Sequence, residues 1–212
     1  MNHSAPQRKD IPTLVKDADL VEKRRRQIID AAVNLCIRTG FHRTTTREIA
    51  QAAGFSIGTL YEYIESKEDV LYLVCDAIHS EVETQVRQVI DQTTTGREAL
   101  TGAIANYFRV CDRMQDHILL IYQESSSLTP ESLRYVLERD ERFASIFEEI
   151  LERGQADGTL KLDHGRGVRL MAHNITVLGH MWTFRRWSLN RHFTLEEFTR
   201  LQTSLILSEL SA

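Results

Sequence analysis

The chain has 212 residues, 42% of them hydrophobic, with three prolines and 26 Lys/Arg against 30 Asp/Glu, enough for one sizeable core or for a small module joined to a larger one. No apolar run reaches the roughly 18 residues of a membrane span, and the polar N-terminus lacks the apolar core of a signal peptide. Cys36, Cys75 and Cys111 show no CxxC spacing, which argues against a disulfide or zinc scaffold and for buried free thiols in a cytoplasmic protein that needs no membrane, metal or cofactor.

Residues 1–18, with Pro6 and Pro12, read as a flexible tail. An apolar stripe through Ile28, Ile29, Ala32, Val33, Leu35 and Cys36 then gives a helix over 19–39, closed by Gly40. Thr45 with Glu48, Ser66 with Asp69, Thr95 with Glu98 and Thr194 with Glu197 have the spacing of a capping box, and Thr129-Pro130 places an N-cap before a first-turn proline. These signals set further helices over 45–53, 56–63, 67–92, 96–114, 116–127, 130–155, 164–188 and 194–210. Without any strand-like alternation the fold class is all-α, with about nine helices.

The stretch "EIAQAAGFSIGTLYEY" (48–63) carries two helices too short to stand alone. Gly54 supplies the turn between them, Ser56 caps the second, and Phe55 with Leu60 has the spacing of a hydrophobic staple. This is the pattern of a helix-turn-helix, whose second helix enters a DNA major groove by its N-terminal end. Ser56, Ile57, Gly58 and Thr59 occupy that end. Hydroxyls there suit phosphates or base edges, and Gly58 lets the backbone come close. The helix starts at Thr45, Thr46 and Arg47 and at Ser56 to Gly58 suit phosphates. Tyr61 and Lys67 could add phosphate contacts, while Tyr63 suits either a phosphate or the core. Arg24 to Arg26 suit either phosphate contacts or a solvated helix start. Residues 1–67 carry 11 Lys/Arg against 8 Asp/Glu and residues 68–212 carry 15 against 22, a slightly basic head on an acidic body.

The segment "RRQIIDAAVNLCIRTGFHRTTTREIAQAAGFSIGTLYEYIESKEDVL" (25–71) resembles the TetR family of transcriptional regulators. It matches the family's pattern of "I-x-x-A", "G-[FY]-x-x-T-T" and "I-A-x-x-A-G-x-S-x-G-x-L-Y-x-Y-F-x-x-K-E-x-L", with Ile64 where Phe is usual and Val70 where Leu is usual. The resemblance implies a three-helix DNA-binding domain over 19–66 and a larger helical ligand-binding and dimerisation domain over 67–212. It implies a dimeric repressor on a palindromic operator, released by a small molecule, and no enzyme. It also places Thr45, Thr46, Ser56, Gly58, Thr59, Tyr61 and Lys67 at positions that usually touch DNA.

In the body, polar groups sit within apolar helices: Asn106 and Tyr107, Tyr122 and Gln123, His173 and Asn174, and Trp182. Such groups suit either a small-molecule pocket or a hydrogen-bonded core. "FRRW" (184–187) and "IYQESSSL" are similar to the acyl-CoA-responsive branch of the family, which implies that Arg134, Arg185 and Arg186 meet nucleotide phosphates. A basic helix end is the alternative for each arginine. Ile175 and Leu178, with Leu201, Leu205 and Ile206, are the candidate homodimer interface, or else core. Ligand in the body is expected to shift the helix over 67–92 and so to change operator affinity. Two other classes stay open: a structural DNA-binding protein without effector, and a helical enzyme, for which no nucleophile, phosphate-loop or metal spacing is present.

Overall fold

Hydroxyl caps set most of the helix starts. In the computed structural model, which describes residues 11–13, 15–90, 95–162 and 165–210, Thr45, Thr95 and Thr194 each form both halves of a capping box with the glutamate three residues on. Ser66 and Asp69 cap reciprocally: Asp69 Oδ2 accepts from the Glu65 and Ser66 amides at 2.9 and 2.8 Å, and Ser66 Oγ accepts from the Asp69 amide at 3.2 Å. Each arrangement satisfies amides that a helix start leaves without partners.

The described residues form ten α-helices: α1 (Ala18–Thr39), α2 (Thr46–Ala52), α3 (Ile57–Leu60), α4 (Lys67–Ile90), α5 (Gly96–Arg113), α6 (Gln115–Glu124), α7 (Pro130–Ala156), α8 (Arg166–Phe184), α9 (Arg186–Leu189) and α10 (Leu195–Glu209), with a 3₁₀ turn at Ser125–Ser127 between α6 and α7. No strand occurs among them, and no described helix is long and apolar enough to cross a membrane. The helix expected over 164–188 is two: Arg185, at φ −104° and ψ 12°, departs from helical values and separates α8 from α9. The helix expected over 56–63 is shorter, because after Leu60 the bonds tighten to the i→i+3 type, from Glu62 N to Thr59 O and from Tyr63 N to Leu60 O. Of the tail expected over 1–18, residues 1–10 and 14 lie outside the described residues. Ile11 is 2% exposed.

The chain divides into two compact units, one of residues up to Ile78 with Asp116–Arg139, the other of His79–Gln115 with residues from Asp140 onward. The chains of α4 and α7 run through both. The first unit packs Ile28, Ala32, Phe41, Ile49, Leu60, Ile64 and Leu71 into one core, each no more than 2% exposed. The core of the second holds an aromatic cluster in which Tyr107 lies 4.9 Å from Phe143 and 5.9 Å from Phe147, ring centre to ring centre. Trp182 and Phe198, 4.9 Å apart, join α8 to α10. Gly96 and Gly154 meet backbone to backbone, where a side chain on Gly96 would have no room. Cys36, Cys75 and Cys111 are buried free thiols, and burial raises the pKa of each.

Candidate nucleic-acid interface

The turn between α2 and α3 is fixed by backbone bonds. Phe55 N donates to Ala50 O at 2.8 Å and Gly54 N to Gln51 O at 3.1 Å, the two bonds of a Schellman motif with Gly54 at φ +76°. Ser56 then caps α3, its Oγ accepting from the Thr59 amide at 3.0 Å and lying 2.9 Å from Thr59 Oγ1. Ser56, Ile57 and Gly58 are exposed and Thr59 is half-buried, whereas Leu60 is fully buried. The start of α2 shares this face: Thr46 Oγ1 lies 3.2 Å from the hydroxyl of Tyr61, which is 50% exposed. Thr45 and Arg47 are exposed beside them. The sequence reading passed over Arg43, an exposed guanidinium two residues before the Thr45 cap. Its only signal was the basic pair flanking three threonines in "RTTTR".

Two expected contacts have other duties. Tyr63 is 3% exposed, with its ring 6.4 Å from that of Phe55; it belongs to the core and does not face a duplex. Lys67 is half-buried. Its Nζ donates to the carbonyls of Phe41 at 3.0 Å and Thr44 at 3.1 Å and lies 4.4 Å from the centre of the Phe41 ring. It ties the start of α4 to the turn between α1 and α2 rather than presenting a free charge. Lys67→Met is therefore expected to destabilise the first unit by about 2 kcal/mol, since hydrogen bonds to a charged donor are lost, and to leave the salt dependence of DNA binding unchanged. A salt slope lower by about one would instead make Lys67 a phosphate contact. Arg25, half-buried, is likewise tied to the fold, donating from Nε to Tyr63 O at 3.2 Å and from Nη2 to Ile11 O at 2.6 Å. Arg24 and Arg26 lie nearer the surface, bonded to Gln27 and Glu22.

In the second unit the candidate ligand residues fall into distinct settings. Tyr107 is buried and donates to Thr176 O at 2.9 Å. Asn106 donates to Gln85 O at 2.8 Å. Trp182 Nε1 donates to Asp112 at 2.7 Å. Asn174 and Arg185 are exposed, Arg185 lying over the Trp187 ring, and Arg186 donates to Gln115. Tyr122, Gln123 and Arg134, in the first unit, are exposed and do not belong to an enclosed pocket.

A polar cluster that the sequence only half disclosed joins three helices of the second unit. His79 of α4 pairs with Asp140 of α7 at 4.0 Å, and His173 and His180 of α8 add their charges nearby. Burial alone would raise the Asp140 carboxyl, but the hydrogen bond and charge of His79, then the charges of His180 and His173, hold it below its ordinary value. Burial lowers His180 against the pull of Asp140, and His117 in the first unit is lowered by burial too. His79 Nδ1 is buried without a hydrogen-bond partner among the described residues. Among these residues no group of three or more His, Cys, Asp or Glu is placed to hold a metal ion. Because His117 and His180 resist protonation when folded, the unfolded chain binds more protons below the ordinary histidine value of about 6.5. Stability is thus expected to be full above that value and to fall as pH drops from about 6.5 through the depressed folded values. Melting curves from pH 7.5 to 5 check this: His180→Gln should flatten the decline, and an unchanged slope would exclude His180 as a source.

The candidate dimer residues divide. Ile175 and Ile206, at 0% and 5% exposure, fill the protomer's own core and are not interface residues. Leu178 is half-buried. Leu201 and Leu205 stand out at 39% and 64%, and on α8 Leu170 and Val177 at 63% and 62%.

Comparison with known proteins bears on both units. Residues 28–72 match bacterial regulatory proteins of the tetR family, and residues 93–185 match the tetracyclin repressor-like C-terminal domain. The HTH-type transcriptional regulator HbdR of Aromatoleum sp. (strain CIB) is 28% identical over 188 residues, covering 89% of this chain and 81% of that protein. The solved structure of the transcriptional regulator FadR from Bacillus subtilis in complex with stearoyl-CoA has a TM-score of 0.72 at 24% identity, covering 87% of this chain and 98% of that one. That of AibR in complex with isovaleryl coenzyme A and operator DNA has a TM-score of 0.70 at 20% identity, covering 86% and 97%.

Proposed function

Because the chain belongs to the tetR family of bacterial regulatory proteins, we propose that it is a ligand-responsive transcriptional repressor, acting in the cytoplasm as a homodimer on a palindromic operator and released by an acyl-CoA. It is a regulator rather than an enzyme, as its relatives are. The observation that carries the reading is the exposed face of Ser56, Gly58 and Tyr61, with half-buried Thr46 beside the Tyr61 hydroxyl, held by a capped turn at the position where the family match lies. Lys67 and Tyr63 support that face from within rather than reading DNA.

The effector class is supported by the folds shared with FadR and AibR, each solved with an acyl-CoA. Within this chain the His79–Asp140–His180 cluster holds a buried His79 nitrogen without a hydrogen-bond partner among the described residues, and the His180 ring lies 6.3 Å from that of Tyr107, a mixture of polar and aromatic groups that can orient a small molecule. Ligand there releases DNA only if it binds the DNA-incompetent shape more tightly. The chain has two continuous helices, α4 and α7, that enter both units and can carry the change.

Selection of binding sites from random duplex DNA tests the reading: a palindrome should emerge, with affinity falling steeply as salt rises. An asymmetric site or a flat salt response would refute the dimeric reader. Melting curves with a series of acyl-CoAs should rise with ligand concentration; a full series without effect removes this effector class. Gly58→Ala gives a residue-level check. Its new methyl would meet only Ser56 Oγ, at 3.7 Å, so the protein accommodates it. Operator affinity is expected to drop about tenfold or more through the blocked approach to the duplex, with the melting temperature unchanged. Retained affinity would show that the duplex does not come close at Gly58.

A further inference from the structure

The outer side of α5 carries Arg97, Thr101, Ala105 and Arg109 at four-residue intervals, which places them in one row. Opposite lies a flank of α10 bearing Thr199, Arg200, Thr203 and Leu207. Between them runs a groove of about 1170 Å³, open to solvent, whose lining residues are distinct from the His79–Asp140–His180 cluster and from the exposed row of Leu201 and Leu205. Three guanidinium groups line it against one carboxylate, that of Glu196. This reverses the balance of residues 68–212, where acids outnumber bases by 22 to 15.

These cations keep hydrogen-bond donors available, although the charge of Arg200 also acts on the Glu197 carboxylate. Neither Arg97 nor Arg200 donates a side-chain hydrogen bond to a described residue, and Arg109 uses one nitrogen on Asn106 Oδ1 at 2.5 Å, leaving its other donors. A second observation is independent of charge. Thr203 stands in the groove wall at 7% exposure; its Oγ1 is closed off from solvent in the unliganded chain and has no hydrogen-bond partner among the described residues, so a ligand meets it only once the side chain turns toward the groove. A buried hydroxyl without a partner is costly unless something satisfies it. Guanidinium forks and hydroxyls together match phosphate oxygens, which accept several bonds at once, while Ala105, Leu195 and Leu207 offer apolar surface to a ring or chain.

We propose that the α5–α10 groove is a binding site for a small molecule carrying a phosphate or pyrophosphate group. The site is additional to the operator face and does not depend on the effector reading above. Calorimetric titration of the full-length protein with inorganic pyrophosphate and with adenosine diphosphate tests it. Saturable one-to-one binding of at least one probe is expected. Arg97→Gln combined with Arg200→Gln should weaken it about tenfold or more. Thr203→Val is the decisive companion, because it removes the unpaired hydroxyl at constant shape: unliganded stability should be retained or raised while probe affinity falls. It also decides the matter if the arginine pair compromises folding. Arg185→Gln with Arg186→Gln tests the rival location and should leave binding intact. Absence of binding by both probes, affinity unaffected by Thr203→Val and the groove arginines, or loss of binding only with Arg185 and Arg186 would each overturn the proposal.

Discussion

Glutamate at both Val177 and Leu205 is expected to leave the chain folded, to make it monomeric, and to reduce operator affinity at least about a hundredfold. Both side chains stand more than 60% exposed, so a carboxylate at either position meets water in the isolated chain and costs little. The two rows have helical logic. On α8, Leu170, Asn174 and Val177 follow one another at intervals of four and three, and on α10 Leu201 and Leu205 are four apart, so each set occupies one face. Aliphatic side chains exposed in rows mark an interaction surface, and a two-fold pairing presents the same surface from both partners. Four carboxylates in that apolar contact would be desolvated without partners. A monomer then reads one half-site, and the contacts of the other half are lost. Sedimentation analysis and operator titration check the two outcomes separately. A double variant that remains dimeric and binds normally would place the interface elsewhere.

Gly96→Ala is expected to lower stability by about 3 kcal/mol, at the upper end of typical overpacking costs, and the melting temperature by roughly 6–12 °C for a chain of this size. The added methyl carbon would lie 2.2 Å from both Cα and N of Gly154, within the backbone of α7. A flexible side chain could swing aside, but a helix backbone cannot, so the start of α5 must separate from the end of α7. Separation also strains the bond from Gly96 N to Asp157 Oδ2 at 2.6 Å. Gly58→Ala, whose methyl makes only an ordinary contact with Ser56 Oγ at 3.7 Å, is the matched control. Equal melting temperatures for the two variants would mean that these helix ends part without resistance.

The elements legible in the sequence were those written in local chemistry. Capping pairs such as Thr45 with Glu48 and Thr194 with Glu197 act within four residues, so their spacing alone announces them, and both form. The Gly54 turn is local in the same way. What stayed hidden depends on which way a helix faces. Helix α8 has apolar residues nearly all round, so its period cannot tell the core residue Ile175 from the exposed Val177 two positions on. Lys67 reads as a free surface cation until the carbonyls of Phe41 and Thr44, more than twenty residues away in sequence, close over it. Asp140 lies in the charged run "ERDERF" and its side chain is about half exposed, as that run suggests. Its partners come from α4 and α8, and only the packed helices reveal them. The groove arginines were obscure for the same reason, since Arg97 and Arg200 are about a hundred positions apart.

The three sulfhydryl groups have a practical corollary. Cys36, Cys75 and Cys111 are enclosed and held mainly protonated at neutral pH, Cys111 with its pKa pushed up to about 12, and the nucleophilic form of cysteine is the thiolate. The native chain is therefore a silent background for maleimide or spin-label chemistry. A single cysteine introduced at exposed Gln51 would take the reporter selectively, and pulsed electron-spin measurements between two labelled copies could follow their separation as operator or effector is added, with no native residue first having to be replaced.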